Sequence, residues 1–264
     1  MLKLFLIALG IYLLVRMGWR VNAGPPAVRA VTDLVRASAL TDDEVVRMAR
    51  EYVGWADRRC GKLPEDHPLV CRLRKVGQGF ADPERFDLGV YPAAEVNAFA
   101  CADGSIRLFA GLMERMSDAE LRAVIAHEMG HIVRRDSLRA MSNAYMASAA
   151  RHAVSAAGGV LGSLSASALG GLALSLAGAR FSRDQEREAD DFAFGRLVEA
   201  GESPFALAET LEKLAALAPA RSGEGGSGLG SMFATHPDPA GRAARMRARA
   251  EAWQAGRPAA GPGE

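Results

Sequence analysis

The pentapeptide His127-Glu128-Met129-Gly130-His131 sets two imidazoles four residues apart with a carboxylate between them. On a helix, positions i and i+4 share a face, so the two histidines converge on one metal ion while the glutamate is placed to deprotonate a water on that metal. The flanking residues argue for the helix independently. Ser117 and Glu120 have the spacing of a capping box. Leu121, Val124, Ile125, Met129, Ile132 and Val133 recur at helical intervals, and Arg134 and Arg135 put positive charge where a helix carboxyl end favours it.

A catalytic zinc site usually takes three protein ligands and leaves one position open, so a third ligand is expected from another segment. The stretch from Phe181 to Asp190 supplies it. Glu186 and Asp190 are four apart and project from one helical face, so one can bind metal while the other supports the site from behind; Glu188 points elsewhere.

His127-Glu128-x-x-His131, then Ser182-Arg183-x-x-Glu186-x-Glu188-Ala189-Asp190, then Thr235-His236-Pro237, resembles the HtpX, BepA and CAAX prenyl protease group of zinc metallopeptidases, in that group's motif order and over about residues 85–250. The resemblance implies one Zn2+ per chain held by His127, His131 and Glu186. It implies Glu128 as general base and general acid, and Asp190 as the carboxylate behind the ligands. It also implies a use for His236, which in BepA-like enzymes can reach the zinc and keep the enzyme latent, with Arg242 packed nearby. A transition-state role and a plain helix-start histidine stay open beside the latch.

Upstream, Val96 to Cys101 and Ser105 to Phe109 read as two short strands about the turn Asp103-Gly104. Asn97, Ala98 and Phe99 form the candidate substrate edge, to which an extended peptide can add by main-chain hydrogen bonds. Phe99 itself reads as core. The expected fold is α+β and mainly helical, a zincin-type metallopeptidase domain with a small antiparallel sheet beside the H-E-x-x-H helix.

Composition bounds the rest. With 264 residues, 49% hydrophobic, 24% charged and a net charge of +1, the chain suits one catalytic domain, and no basic patch calls for nucleic acid. Residues 1–20 carry Lys3, an uncharged apolar run from Leu4 to Val15, and then Arg16, Trp19 and Arg20, which reads as an uncleaved membrane anchor or a secretory signal. Residues 21–40 read as a linker, 41–253 as the metallopeptidase domain and 254–264 as a disordered tail. Within the domain, Ala153 to Ala179 carries no charge. A single crossing there would put His131 and Glu186 on opposite sides of a membrane, so the stretch reads as a membrane-touching or site-covering segment, against a plain buried helix pair. Cys60 and Cys71 bracket a turn-rich stretch, and either a disulfide between them or three reduced thiols fits. His67 and His152 read as ordinary surface or interfacial residues.

The function expected is zinc-dependent endopeptidase action on unfolded, misassembled or membrane-associated proteins of a bacterial cell envelope. The chain would be anchored facing the periplasm or secreted to it, or else anchored facing the cytoplasm. A latent, chaperone-like assembly factor and a prenyl-protein processing protease are the other readings. Oligomeric state is left open.

Overall fold

The computed structural model describes residues 40–155, 166–177, 179–217 and 235–256. In chain order these form α1 (Asp42–Cys60), α2 (Pro68–Gly77), β1 (Asp87–Tyr91), β2 (Ala98–Ala100), β3 (Ser105–Phe109), α3 (Ala110–Met113), α4 (Asp118–Val133), α5 (Asp136–Ser155), α6 (Ala166–Ala177), α7 (Arg183–Glu199), α8 (Phe205–Leu217) and α9 (Pro239–Ala255). The expected anchor or signal at 1–20, most of the 21–40 linker and the glycine-rich stretch at 221–231 lie outside the described residues. So do residues 257–264. α9 runs two residues past the expected domain boundary at 253.

Local chemistry sets the helix starts. At α1 the Thr41 hydroxyl accepts from the Glu44 amide and the Glu44 carboxylate accepts from the Thr41 amide at 2.8 Å, a reciprocal capping box. Ser117 and Glu120 make the same pair at α4, and Ser182 and Gln185 at α7. His67 caps α2, its Nδ1 accepting from the Leu69 amide ahead of Pro68. Cys60, Cys71 and Cys101 are all free thiols, so no Cys60–Cys71 bridge forms.

The sheet order is β1-β3-β2. β2 and β3 form the antiparallel hairpin read from the sequence, with Gly104 at φ +94° in its turn. β1, which the sequence reading did not see, pairs with β3 in parallel, so the sheet is mixed rather than wholly antiparallel. Arg107 accounts for that pairing. Its guanidinium, 1% exposed, bonds both carboxylate oxygens of Asp57 on α1 and also reaches the Asp87 carboxylate and carbonyl on β1. Tyr91 adds its hydroxyl to Asp57 at 2.8 Å. A charge this buried is tolerable because each side of its planar fork meets an acceptor.

Strand alternation gives the sheet two apolar faces. Val90, Ala98, Ile106 and Leu108 join the larger core with α2, α4, α7, α8 and α9. Tyr91, Cys101 and Phe109 join a second core with α1, α5 and α6. α6 buries Leu169, Leu172 and Ala173 in that second core while Leu174 stays 68% exposed. Within the 153–179 stretch α6 is therefore packed against the domain, and residues 156–165 and 178 lie outside the described residues. Among the described residues, no helix is long and apolar enough to cross a membrane.

α4 lies at the centre and crosses α7 closely. A Cβ on Gly130 would sit 3.0 Å from Ala189 Cα and 3.1 Å from Ala189 O, both backbone atoms of α7. Replacement by alanine is ambiguous, because about 1 kcal/mol of helix propensity offsets the clash. Valine adds two methyls to the same contact, so Gly130→Val is expected to lose about 2–3 kcal/mol in urea unfolding and to loosen metal binding by displacing α7.

Candidate metal centre

Three segments deliver the site. α4 brings His127, Glu128 and His131, which are 4%, 1% and 0% exposed. α7 brings Glu186 and Asp190, equally buried, one turn apart on the face turned to α4. The third is the turn before α9. There Asp238 adopts a left-handed conformation at φ +58° and accepts from the Gly241 amide, so the chain enters α9 with His236 turned inward and 5% exposed.

His127 Nε2 lies 3.1 Å from His131 Nε2, 3.4 Å from Glu186 Oε2 and 3.3 Å from His236 Nδ1. Glu186 Oε1 is 3.7 Å from His131 Nε2 and 2.9 Å from His236 Nδ1. One ligand atom from each of these four residues falls within 4.8 Å of all the others. Atoms bound tetrahedrally at about 2.0–2.1 Å from one zinc stand roughly 3.3 Å apart, so this donor set fits a cation of that size. Charge points the same way. Glu128, Glu186, Asp190 and Asp136 are buried carboxylates around the cluster, and Arg242 at 9% exposure is the buried cation beside them. Glu128 Oε1 is buried without a hydrogen bond, and His236 Nε2 stands 3.7 Å from it. Glu186 Oε2 likewise accepts no hydrogen bond, although Arg242 makes ionic contact with it.

Each α4 histidine has its own acidic support. Asp190 Oδ1 is 3.2 Å from His127 Nδ1, and the Arg242 guanidinium forks onto Asp190 at 2.7 and 2.9 Å. Asp136 Oδ2 is 3.1 Å from His131 Nδ1. Burial and the Arg242 charge both work against protonation of His127, but the facing carboxylates of Asp190 and Glu186 prevail and raise its pKa to about 9. Burial dominates at His131 and lowers it to about 4. Glu186 and Asp190 are held well below the usual carboxylate range: burial opposes this, and the facing histidines, with Arg242 for Asp190, outweigh it. Both carboxylates are therefore anionic at neutral pH, as metal binding requires.

Among the described residues, two openings reach the cluster. A cleft of about 630 Å³ runs between the Asn97–Cys101 edge and Met141, Leu176 and Phe181, with Glu128 and His236 in its wall. A second, apolar recess of about 400 Å³ lies between α4, α8 and α9, where Val124, Leu211 and Leu214 stand beside His127 and Arg242. His236 borders both. Ala98 is buried, and Phe99 packs its ring on Tyr91 and Phe109 at 6.0 and 6.4 Å while still facing the cleft.

The residues named from the sequence thus meet at one place: His127, Glu128, His131, Glu186, Asp190, His236 and Arg242, with Asn97–Phe99 along the cleft. Glu188 is exposed and paired with Arg134, away from the cluster. Asp136 and Phe181 were not read as site residues. Phe181 stacks on the His131 ring at 4.0 Å and 12°, and its amide donates to Thr235 O, tying the α7 approach to the His236 turn. The acidic residue five places after His131 was the available pointer to Asp136.

Residues 72–250 match peptidase family M48. The chain is 37% identical to metalloprotease LoiP of Escherichia coli (strain K12), covering 82% of this chain and 84% of that one. It is 42% identical to metalloprotease YcaL of the same organism, over 84% and 86% of the two chains. A shorter match, 37% identical over 59% of this chain and 32% of the relative, joins it to the E. coli β-barrel assembly-enhancing protease.

Proposed function

The chain belongs to peptidase family M48 and is a metalloprotease, and from that premise we propose that it is a zinc-dependent endopeptidase acting on unfolded or misassembled proteins of a bacterial cell envelope. The observation that carries the reading is the buried His127–His131–Glu186 cluster with Glu128 beside it, opening on a cleft bordered by an edge strand. The envelope setting draws on the apolar run from Leu4 to Val15 and on the likeness to a relative named for β-barrel assembly.

His127, His131 and Glu186 would hold the zinc, with Asp190 and Arg242 fixing His127 from behind. When bound, zinc lowers the pKa of water at its open position to about 7 and polarises a carbonyl. Glu128, whose Oε1 is buried without a donor, takes the proton of the attacking water and returns it to the leaving amine. β2 has no further strand paired to its outer edge among the described residues, so an extended peptide aligns there by backbone hydrogen bonds with little demand on sequence. That fits unfolded clients.

His236 acts in this reading as a latch. Its Nδ1 stands within 3.3 Å of His127 Nε2 and 2.9 Å of Glu186 Oε1, where it competes with water and substrate for the metal. A latch closed in about nine molecules of ten lowers apparent activity about tenfold, so His236→Ala is expected to raise casein cleavage by about that factor. The assay compares the full chain, His236→Ala and Glu128→Gln. Cleavage that requires Glu128 supports the endopeptidase. Zinc binding without cleavage in any form would favour a second reading, a client-holding assembly factor, which the position of His236 in the cluster also suits.

A further inference from the structure

We propose that Asp136 sets the tautomer of His131, and so is a positioning residue for the metal; the inference rests on the reading of His131 as a ligand. The turn at Arg135, left-handed at φ +64°, brings the first residue of α5 back under the last turn of α4. Asp136 is 0% exposed there, and its two oxygens have separate duties. Oδ1 accepts from Gln185 Nε2 at 2.9 Å and from Arg139 Nη2. Oδ2 faces His131 Nδ1 at 3.1 Å. An ionised carboxylate only accepts, so this bond requires the proton on Nδ1 and leaves the Nε2 lone pair pointing into the cluster.

The orientation of Gln185 is fixed as well. Its Oε1 accepts from the Ser182 amide at 2.8 Å as half of the α7 capping box, which turns its amide NH2 towards Asp136. One side chain thus starts the helix that carries Glu186 and also saturates the aspartate that orients His131. Phe181, stacked on the imidazole, holds the ring plane from the other direction.

Substitution by asparagine reverses the polarity without changing the shape. With Gln185 and Arg139 both donating, the amide oxygen of Asp136→Asn must take the Oδ1 place. Its NH2 then meets His131 Nδ1, forces Nδ1 to accept and moves the proton to Nε2, where it blocks the metal. The same exchange at an orienting aspartate imposes the wrong tautomer in catalytic triads. A second change undoes the first. Gln185→Glu keeps the capping box, since glutamate serves that position as well as glutamine, and offers an acceptor to the asparagine NH2. The asparagine can then turn its oxygen to His131, and Arg139, 55% exposed, follows the new carboxylate.

The test is zinc affinity of the full chain by chelator competition, with thermal melting of the metal-free forms alongside. Asp136→Asn is expected to weaken zinc binding 10- to 100-fold, the range for lost support of a metal-bound histidine, at an unchanged metal-free melting temperature. Asp136→Asn with Gln185→Glu is expected to recover most of the loss, which no general loosening of the fold would do. Wild-type affinity in the single variant, or a double variant as weak as the single, would overturn the proposal. A wild-type chain that binds no zinc would overturn the metal-centre reading itself, and this inference with it.

Discussion

Glu128→Gln is expected to lower casein cleavage by about 10²–10⁴-fold, the usual contribution of a positioned general acid–base group, while the protein keeps its full metal content. The separation follows from geometry. Glu128 lies beside the cluster but outside the set of four residues whose ligand atoms converge, and its Oε1 takes part in no hydrogen bond. Glutamine has the same shape and cannot take up a proton. Because Glu128 Oε1 is buried without a donor, no hydrogen bond of that oxygen is lost in the glutamine variant, so folding stability should hold. Metal content by mass spectrometry, urea unfolding and cleavage on one preparation check the three parts.

Glu186→Gln should fail in the opposite way. Glu186 is the anionic member of the converging set, and its loss replaces a charged ligand with a neutral amide. Zinc affinity is expected to drop by more than the roughly 100-fold that outer supports alone are worth, and cleavage falls with metal occupancy. Arg242 keeps its two-pronged contact with Asp190, so no buried guanidinium is left unpaired and the metal-free melting temperature should move little. Chelator competition beside a metal-free melt distinguishes this outcome from general unfolding. Similar zinc loss in Glu128→Gln and Glu186→Gln would show that the roles of base and ligand have been confused.

The parts legible in the sequence were those whose geometry is local. Helical spacing alone puts His127 beside His131 and Glu186 beside Asp190, and the capping residue Ser117 marks where α4 begins. The hairpin was legible because Asp103-Gly104 interrupts two alternating runs. β1 was not, since five residues including Gly89 carry little pattern, and its parallel partner is selected by Arg107 reaching Asp57 and Asp87 from distant segments. Asp136 escaped for a similar reason. Its duty exists only because a left-handed Arg135 turns the chain back onto His131 and because Gln185 arrives from α7. The apolar 153–179 stretch could not be placed from composition. A run of Ala, Gly, Ser and Leu suits a membrane and also suits close helix packing, and Leu169, Leu172 and Ala173 show the packing.

The most direct test of the central claim is casein cleavage by the full chain before metal removal, after it, and after readdition of zinc, with His236→Ala carried in parallel so that a closed latch does not hide activity. The account predicts one zinc per chain, loss of cleavage with the metal, its return with zinc, and no return in Glu128→Gln. Cleavage that survives complete metal removal, or that persists in Glu128→Gln at full zinc occupancy, would contradict it.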